Sequence, residues 1–285
     1  MKQPLRVIAL LGLLATWGLP ALAAPVAMIS DLRGNATLVE SGRAKPATLL
    51  TYLEPGTTLR LEPGARLVLT YFAKASEITV TGPAEGTIRA DTIALSRGDV
   101  PAVRSLDAGK AETARKFDGV QRDRLALATV QMRAGARPQI VIQGPRDIDV
   151  LGDTPTLAWQ PIAGVNSYRV ILRDHTGRSL FARDVPANTV ATPALARGEA
   201  FQWSVEARLP SGQVLTSAAG FRVLDASRAM PIERLRPAAG ASFSERVLFA
   251  ARLEAEGLAH DAKREWIVLS AERPEDPTLK EWAER

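Results

Sequence analysis

The sequence predicts a mostly β, multidomain protein with a connector helix and a C-terminal α-hairpin. Three observations predict it. Short runs rich in Val, Ile, Leu and Thr, broken by Pro-Gly and Gly-Pro turns, fill residues 25–100 and return over 139–225. Between them the period changes to a helical one over 119–134, which is free of Pro. After 242 the signals are helical: a capping box, apolar residues at helical spacing, and Pro274 as a stop.

Residues 1–23 read as a secretory signal peptide. Met1, Lys2 and Arg6 form a basic start, 7–19 is an apolar run, and Ala21-Leu22-Ala23 is a small-x-small site. The run is shorter than the roughly 20 apolar residues a spanning helix needs. The chain from Ala24 onward is expected in the periplasm, which sets ATP-driven and nicotinamide chemistry aside. With no Cys, a lipoprotein anchor, disulfides, thiol nucleophiles and Cys-ligated zinc are all excluded.

Formal net charge is +5. Without Lys2 and Arg6, 34 basic residues face 31 acidic ones, or +3. Nucleic-acid binders concentrate far more, so no nucleic-acid partner is expected. The excess lies in 102–137, where eight Lys/Arg face four Asp/Glu.

The first β domain is expected over 24–101. Glu54-Pro55-Gly56 and Glu62-Pro63-Gly64 read as type II turns, since Pro sets the first φ and Gly tolerates a positive one. In the run 65–72, Leu67, Leu69 and Tyr71 share one face and Val68 and Phe72 the other, which predicts a central strand. The opening apolar strand, Arg33-Gly34-Asn35-Ala36-Thr37-Leu38, the Leu53–Gly56 turn and Ile78-Thr79-Val80-Thr81-Gly82 together resemble the FecR-type domain. That resemblance implies an extracytoplasmic all-β module of the bacterial envelope. Signal-transducing members carry a cytoplasmic segment and a spanning helix ahead of it, where this chain has its signal peptide. Contact with a cytoplasmic sigma factor is therefore not expected.

A basic helical connector is expected over 102–137. Val120, Leu127, Val130 and Ala134 form its stripe, flanked by Leu125 and Met132, and Gly135 and Pro138 stop it. Arg115, Lys116, Arg122, Arg124 and Arg133 lie off the stripe. The segment reads either as a solvated connector packed on a β domain or as a basic helix meeting an acidic surface.

The segment 138–226 is expected to be a sandwich. Thr156-Leu157-Ala158-Trp159, Tyr168-Arg169-Val170 and Phe201-Gln202-Trp203-Ser204-Val205 resemble a fibronectin type III or immunoglobulin-like domain. Trp159, Tyr168, Val170, Trp203 and Val205 fit its core. Stacking of the Trp and Tyr rings on sugars is the competing reading.

The segment 227–285 is expected to be a helical hairpin. Ser242 and Glu245 make a capping box. Phe249, Ala250 and Leu253 mark one helix, and Ala262, Trp266 and Leu269 a second. Asp276-Pro277 starts a third as N-cap and first position. The spacing resembles one tetratricopeptide unit, a repeat that usually needs about three copies to bury a continuous core. The single copy is expected to dock on the sandwich or to stack on another chain; the competing reading is that Trp266 and Trp282 seal the hairpin internally. Leu253, Trp266, Leu279 and Trp282 are the candidate partner-binding residues.

No catalytic, metal-binding or cofactor-binding residue is nominated. His175 and His260 read as solvated turn residues, neither at ligand spacing to a second His. Arg97-Gly98-Asp99 reads as a turn. Carboxylates paired only in space, as in glycoside cleavage, are invisible to sequence. The expected function is a non-catalytic periplasmic adaptor in envelope signalling or assembly. Its expected partner is an envelope protein, such as the extracytoplasmic part of a membrane sensor. The alternative is a peptidoglycan or glycan binder, and the third reading a carboxylate-based hydrolase.

Overall fold

The computed structural model describes residues 24–127 and 139–284, and the predicted signal peptide lies outside them. The first β unit is built from β1 (Ala27–Arg33), β2 (Ala36–Glu40), β3 (Arg43–Pro46), β4 (Tyr52–Leu53), β5 (Thr58–Leu61), β6 (Arg66–Tyr71), β7 (Ser76–Thr81), β8 (Ala84–Ile88), β9 (Ile93–Arg97) and β10 (Ala102–Ser105). They form two antiparallel sheets, ordered β10-β7-β6-β1-β4 and β3-β2-β5-β8-β9. Leu67, Leu69, Tyr71 and Ile78 from the first sheet meet Leu38, Leu59, Ile88 and Ile93 from the second. The central position of β6 follows from its two apolar faces. Gly56 and Gly64 both adopt positive φ (+93 and +79), as the Pro-Gly turns require.

β10 corrects the expected connector. Residues 102–105 pair with β7 and extend the first sheet, with Arg104 opposite Glu77. Their exposed, partly charged sequence hid a strand whose pairing is purely tertiary. The helix that follows, α1 (Ala108–Leu127), begins well before Gly119 and buries Ala111, Ala114 and Phe117. Of the predicted stripe, Val130 and Ala134 lie outside the described residues, as do Met132 and Arg133.

The second unit contains β11 (Ile142–Gly144), β12 (Ile148–Val150), β13 (Thr156–Trp159), β14 (Tyr168–Asp174), β15 (Ser179–Val185), β16 (Thr189–Ala191), β17 (Ala200–Arg208) and β18 (Val214–Val223). A sheet β11-β13-β16 faces a sheet β12-β18-β17-β14-β15, with β12 parallel to β18. This is a fibronectin type III-like sandwich. Trp159, Tyr168, Val170, Trp203 and Val205 are all within 2 % of full burial, so the aromatics are core and not a sugar-stacking face. Trp203 Nε1 donates to the Pro145 carbonyl at 3.0 Å, giving the buried indole its partner.

Four further helices close the chain: α2 (Ala226–Glu233), α3 (Phe243–Ala255), α4 (Ala259–Glu272) and α5 (Pro277–Glu284). The capping box forms as predicted, with Ser242 and Glu245 each binding the other's backbone amide. Asp276 Oδ1 accepts from Thr278 N and Leu279 N, which caps α5. Sequence reading missed α2, which follows β18 almost at once and is capped by Asp225.

These helices do not dock on the sandwich alone. A third core joins Met28, Leu49 and Leu50 of the first unit, Ala114 and Phe117 of α1, Leu151 and Leu224 of the sandwich, and the apolar faces of α2 to α5. β1 serves two cores by simple alternation: Ala27 and Ile29 face the sheets, and Met28 faces this helical hub. Leu50 reaches the hub from a left-handed backbone (φ +63), a conformation that burial must hold in place.

Candidate interaction site at the sheet and hairpin junction

The four nominated residues are inside the hub. Leu253, Trp266, Leu279 and Trp282 are 0 to 3 % exposed, so none forms an outer surface. The reason lies in the neighbours. Ala250, Ala251 and Ala262 let α3 and α4 approach closely, and Phe117 arrives from α1 to complete an aromatic cluster. Its ring lies 5.1 Å from Trp282, and Trp282 lies 5.5 Å from Trp266. The outer residues of α5 are Pro277, Lys280, Glu281 and Glu284, a mostly polar face of the kind that ends a helical stack.

The hub is fastened to the first sheet by charge. Asp31 on β1 is 4 % exposed and accepts from Arg273 Nη1 at 2.6 Å and from Arg66 Nη1 at 3.2 Å. The Arg273 guanidinium lies 3.3 Å over the Phe243 ring. Glu77 on β7, also 4 % exposed, takes two hydrogen bonds from Arg104. Arg104 also reaches Glu245 at 3.3 Å, and Lys110 donates to the same carboxylate at 2.6 Å. Burial pushes the Glu245 carboxyl up, but Lys110, the Ser242 amide and the charge of Arg104 outweigh it and hold the group at about 2. None of these residues was nominated from sequence. Asp31 sits in an apolar run, and a lone buried carboxylate there was the available signal.

These side chains wall a notch of about 370 Å³ between the outer face of the sheet and the start of α3. Val68, Thr79 and Ala102 form its floor, and Phe243 closes one end. Arg66 and Arg104 keep about half of their side-chain surface, whereas Asp31 and Glu77 lie sealed beneath them. Arg33 is exposed at the rim. The face shown to solvent is therefore basic. Asp31 and Glu77 stand on β1 and β7, with β6 between them, and each is directed at a guanidinium rather than at the other.

Beside the notch runs β10, the edge strand of its sheet. Val100 and Val103 are 94 % and 66 % exposed, the highest values among the exposed large apolar residues. Val103 lies opposite the buried Ile78, on the inward side of the sheet.

Among the described residues no group of His, Asp and Glu is placed to hold a metal ion, and no helix is long and apolar enough to cross a membrane. His175 is exposed, 3.8 Å from Glu199. His260 corrects the reading as a solvated turn residue: it lies in the first turn of α4 with Nε2 buried.

No protein-family model matches this sequence, and no curated protein matches it. Solved structures similar to it include the fibronectin type III domain of human collagen alpha-1(XX) (18 % identity, 34 % of this chain and 90 % of that one, TM-score 0.26). The fibronectin(III)-like modules of CbhA from Clostridium thermocellum share 9 % identity over 72 % of this chain and 81 % of theirs, with a TM-score of 0.24. The extracellular domain of a one-component system from B. thetaiotaomicron shares 10 % identity over 60 % of this chain and 30 % of its own, with a TM-score of 0.25. At these scores none of them bears on what this chain does, and the sandwich assignment rests on the strand order above.

Proposed function

We propose that this chain is a non-catalytic adaptor of the bacterial envelope, exported to the periplasm by residues 1–23. In this reading the first unit is a FecR-like domain, and the tetratricopeptide-like hairpin is an internal clamp. The partner is the extracytoplasmic part of a membrane protein, bound as an extended acidic segment along β10. One observation carries the reading: the most exposed large apolar residues, Val103 on β10 and Val100 just ahead of it, lie at a sheet edge that no strand covers among the described residues, next to a notch whose solvent-facing charges are arginines. An added strand would take main-chain hydrogen bonds from the edge, and the arginines would favour acidic side chains.

The test is cross-linking in place of the tagged chain and of Val103→Glu, followed by identification of the captured proteins. A membrane protein lost at least tenfold with Val103→Glu, while thermal unfolding is unchanged, is the expected result. Equal capture by both chains would remove the interface from β10. Sedimentation with purified peptidoglycan, with no protein captured, would replace the adaptor reading with the glycan one.

A further inference from the structure

The chain has two histidines, and they sit in opposite environments. His175 is exposed in the β14–β15 turn. His260 is pressed between α4 and the sandwich, with Nε2 buried and no hydrogen-bond partner among the described residues. A Cβ built on Gly144 would meet its Nδ1 at 2.6 Å, and Gly144 has φ +149. Only glycine lets the end of β11 lie on that ring. The next residue, Asp261, accepts a hydrogen bond from Leu151 N at 2.8 Å across the same seam.

The seam has a tethered part and an untethered one. In the tethered part β18 runs through Leu224 and Asp225 into α2, Leu224 N donates to the Val150 carbonyl, Arg228 pairs with Asp149 and Arg197 with Glu233, and the Leu151–Asp261 hydrogen bond lies beside this joint. The Gly144–His260 contact is made separately, from the end of β11. The charges that act on His260 are those of Arg264 and Lys263 from α4, and His260 shares a cavity with the carboxylates of Asp261 and Glu265. Arg236 also lines this cavity of about 140 Å³. Glu233 of α2 acts on Asp261. Arg146 and Asp147, just beyond the Gly144 turn, are exposed and lie 3.7 Å apart.

We propose that this seam is an acid-released latch. Neutral His260 lets the Gly144 turn rest on α4, and its protonation opens that contact about the α2 joint. Burial, then the charges of Arg264 and Lys263, hold the imidazole down from 6.5 to about 4. The open form therefore binds more protons than the closed form between pH 6.5 and 4, so acid favours opening in that window. Asp261 works in the opposite sense. Burial raises it, so closing favours its proton over a window that starts at 3.8. The latch does not depend on the β10 reading; if the chain is exported, the seam meets the pH of the medium directly.

The test uses the whole chain. Histidine carbon NMR follows the His260 ring with pH. Hydrogen exchange, corrected for its intrinsic pH dependence, follows residues 142–151 and 259–266 against β6. The expected result is a loss of protection of at least tenfold in both segments between pH 6.5 and 4, coincident with the His260 titration. It should be absent in His260→Gln, which keeps a polar side chain of similar size but takes no proton. Equal loss in both chains, or protection held to pH 4 in the unsubstituted chain, would overturn the latch. If His260→Gln does not fold, the unsubstituted chain decides. A His260 midpoint at the ordinary imidazole value of 6.5, or one that does not track the loss of protection, would overturn it.

Discussion

Two β units meet one helical hub through seams of different chemistry. At the first unit, Asp31 and Glu77 are buried under Arg273, Arg66 and Arg104, and Glu245 joins Lys110. At the sandwich, Leu151 and Leu224 enter the hub core, Leu151 N donates to Asp261, Arg228 pairs with Asp149 and Arg197 with Glu233, and the His260 imidazole rests on a glycine. The first seam holds its charges in place by mutual pairing. The second keeps its ion pairs, Arg228–Asp149 and Arg197–Glu233, at the α2 joint and leaves His260 Nε2 buried without a partner, so a proton there meets no compensating charge pair. Acid should therefore act on them in order. The sandwich seam weakens from pH 6.5 toward 4. Glu245, held below its ordinary 4.5, contributes stability that is lost only as pH falls from 4.5 toward about 2. Segment-resolved hydrogen exchange on acidification would show the two steps, and a reversed order would break the comparison.

The largest effect should come from the hub that both seams share. Trp266→Ala removes a fully buried ring and should cost about 4 kcal/mol by urea unfolding of the helical region. The two β cores, with Trp159 and Trp203 in the second, have their own closed packing and should keep their strand signal in circular dichroism.

Next comes the first seam alone. Arg273→Leu leaves Asp31 buried with only Arg66 and should cost about 3 kcal/mol. Asp31→Asn combined with Arg273→Leu should recover a large part of that loss, because no uncompensated charge remains. Failure of the double variant to recover would mean that Arg273 acts through packing on Phe243 rather than through charge.

Gly144→Ala probes the second seam. It adds a positive-φ strain and pushes into the His260 ring, with an expected cost of about 2 kcal/mol. His260→Ala in the same chain should relieve the steric part, which thermal unfolding of the pair would measure. The smallest effect is Ser242→Ala. It removes one half of the capping box and should cost about 1 kcal/mol, read as earlier melting of α3.

Local features were legible from sequence where they depended on residues close in the chain. The Pro-Gly turns, the capping box, the Asp276 cap and the alternation that buries Trp159 and Trp203 all formed where patterning placed them. Features that depend on distant partners were not legible. β10 needed β7 to become a strand. Phe117 fell ahead of the predicted stripe and gained its role only from Trp266 and Trp282. The candidate notch needed Asp31 and Arg273, separated by 242 positions, to meet.

The same division explains the nominated residues. Sequence by itself placed each of Leu253, Trp266, Leu279 and Trp282 on the apolar face of its own helix, because helical spacing dictates which side chains align within a helix. It could not decide what covers those faces, since apolar burial is non-directional and any adjacent apolar surface satisfies it. The tertiary structure decided that the cover is α1, β1 and the edge of the sandwich. That choice turned a predicted docking surface into the core that joins the two β units.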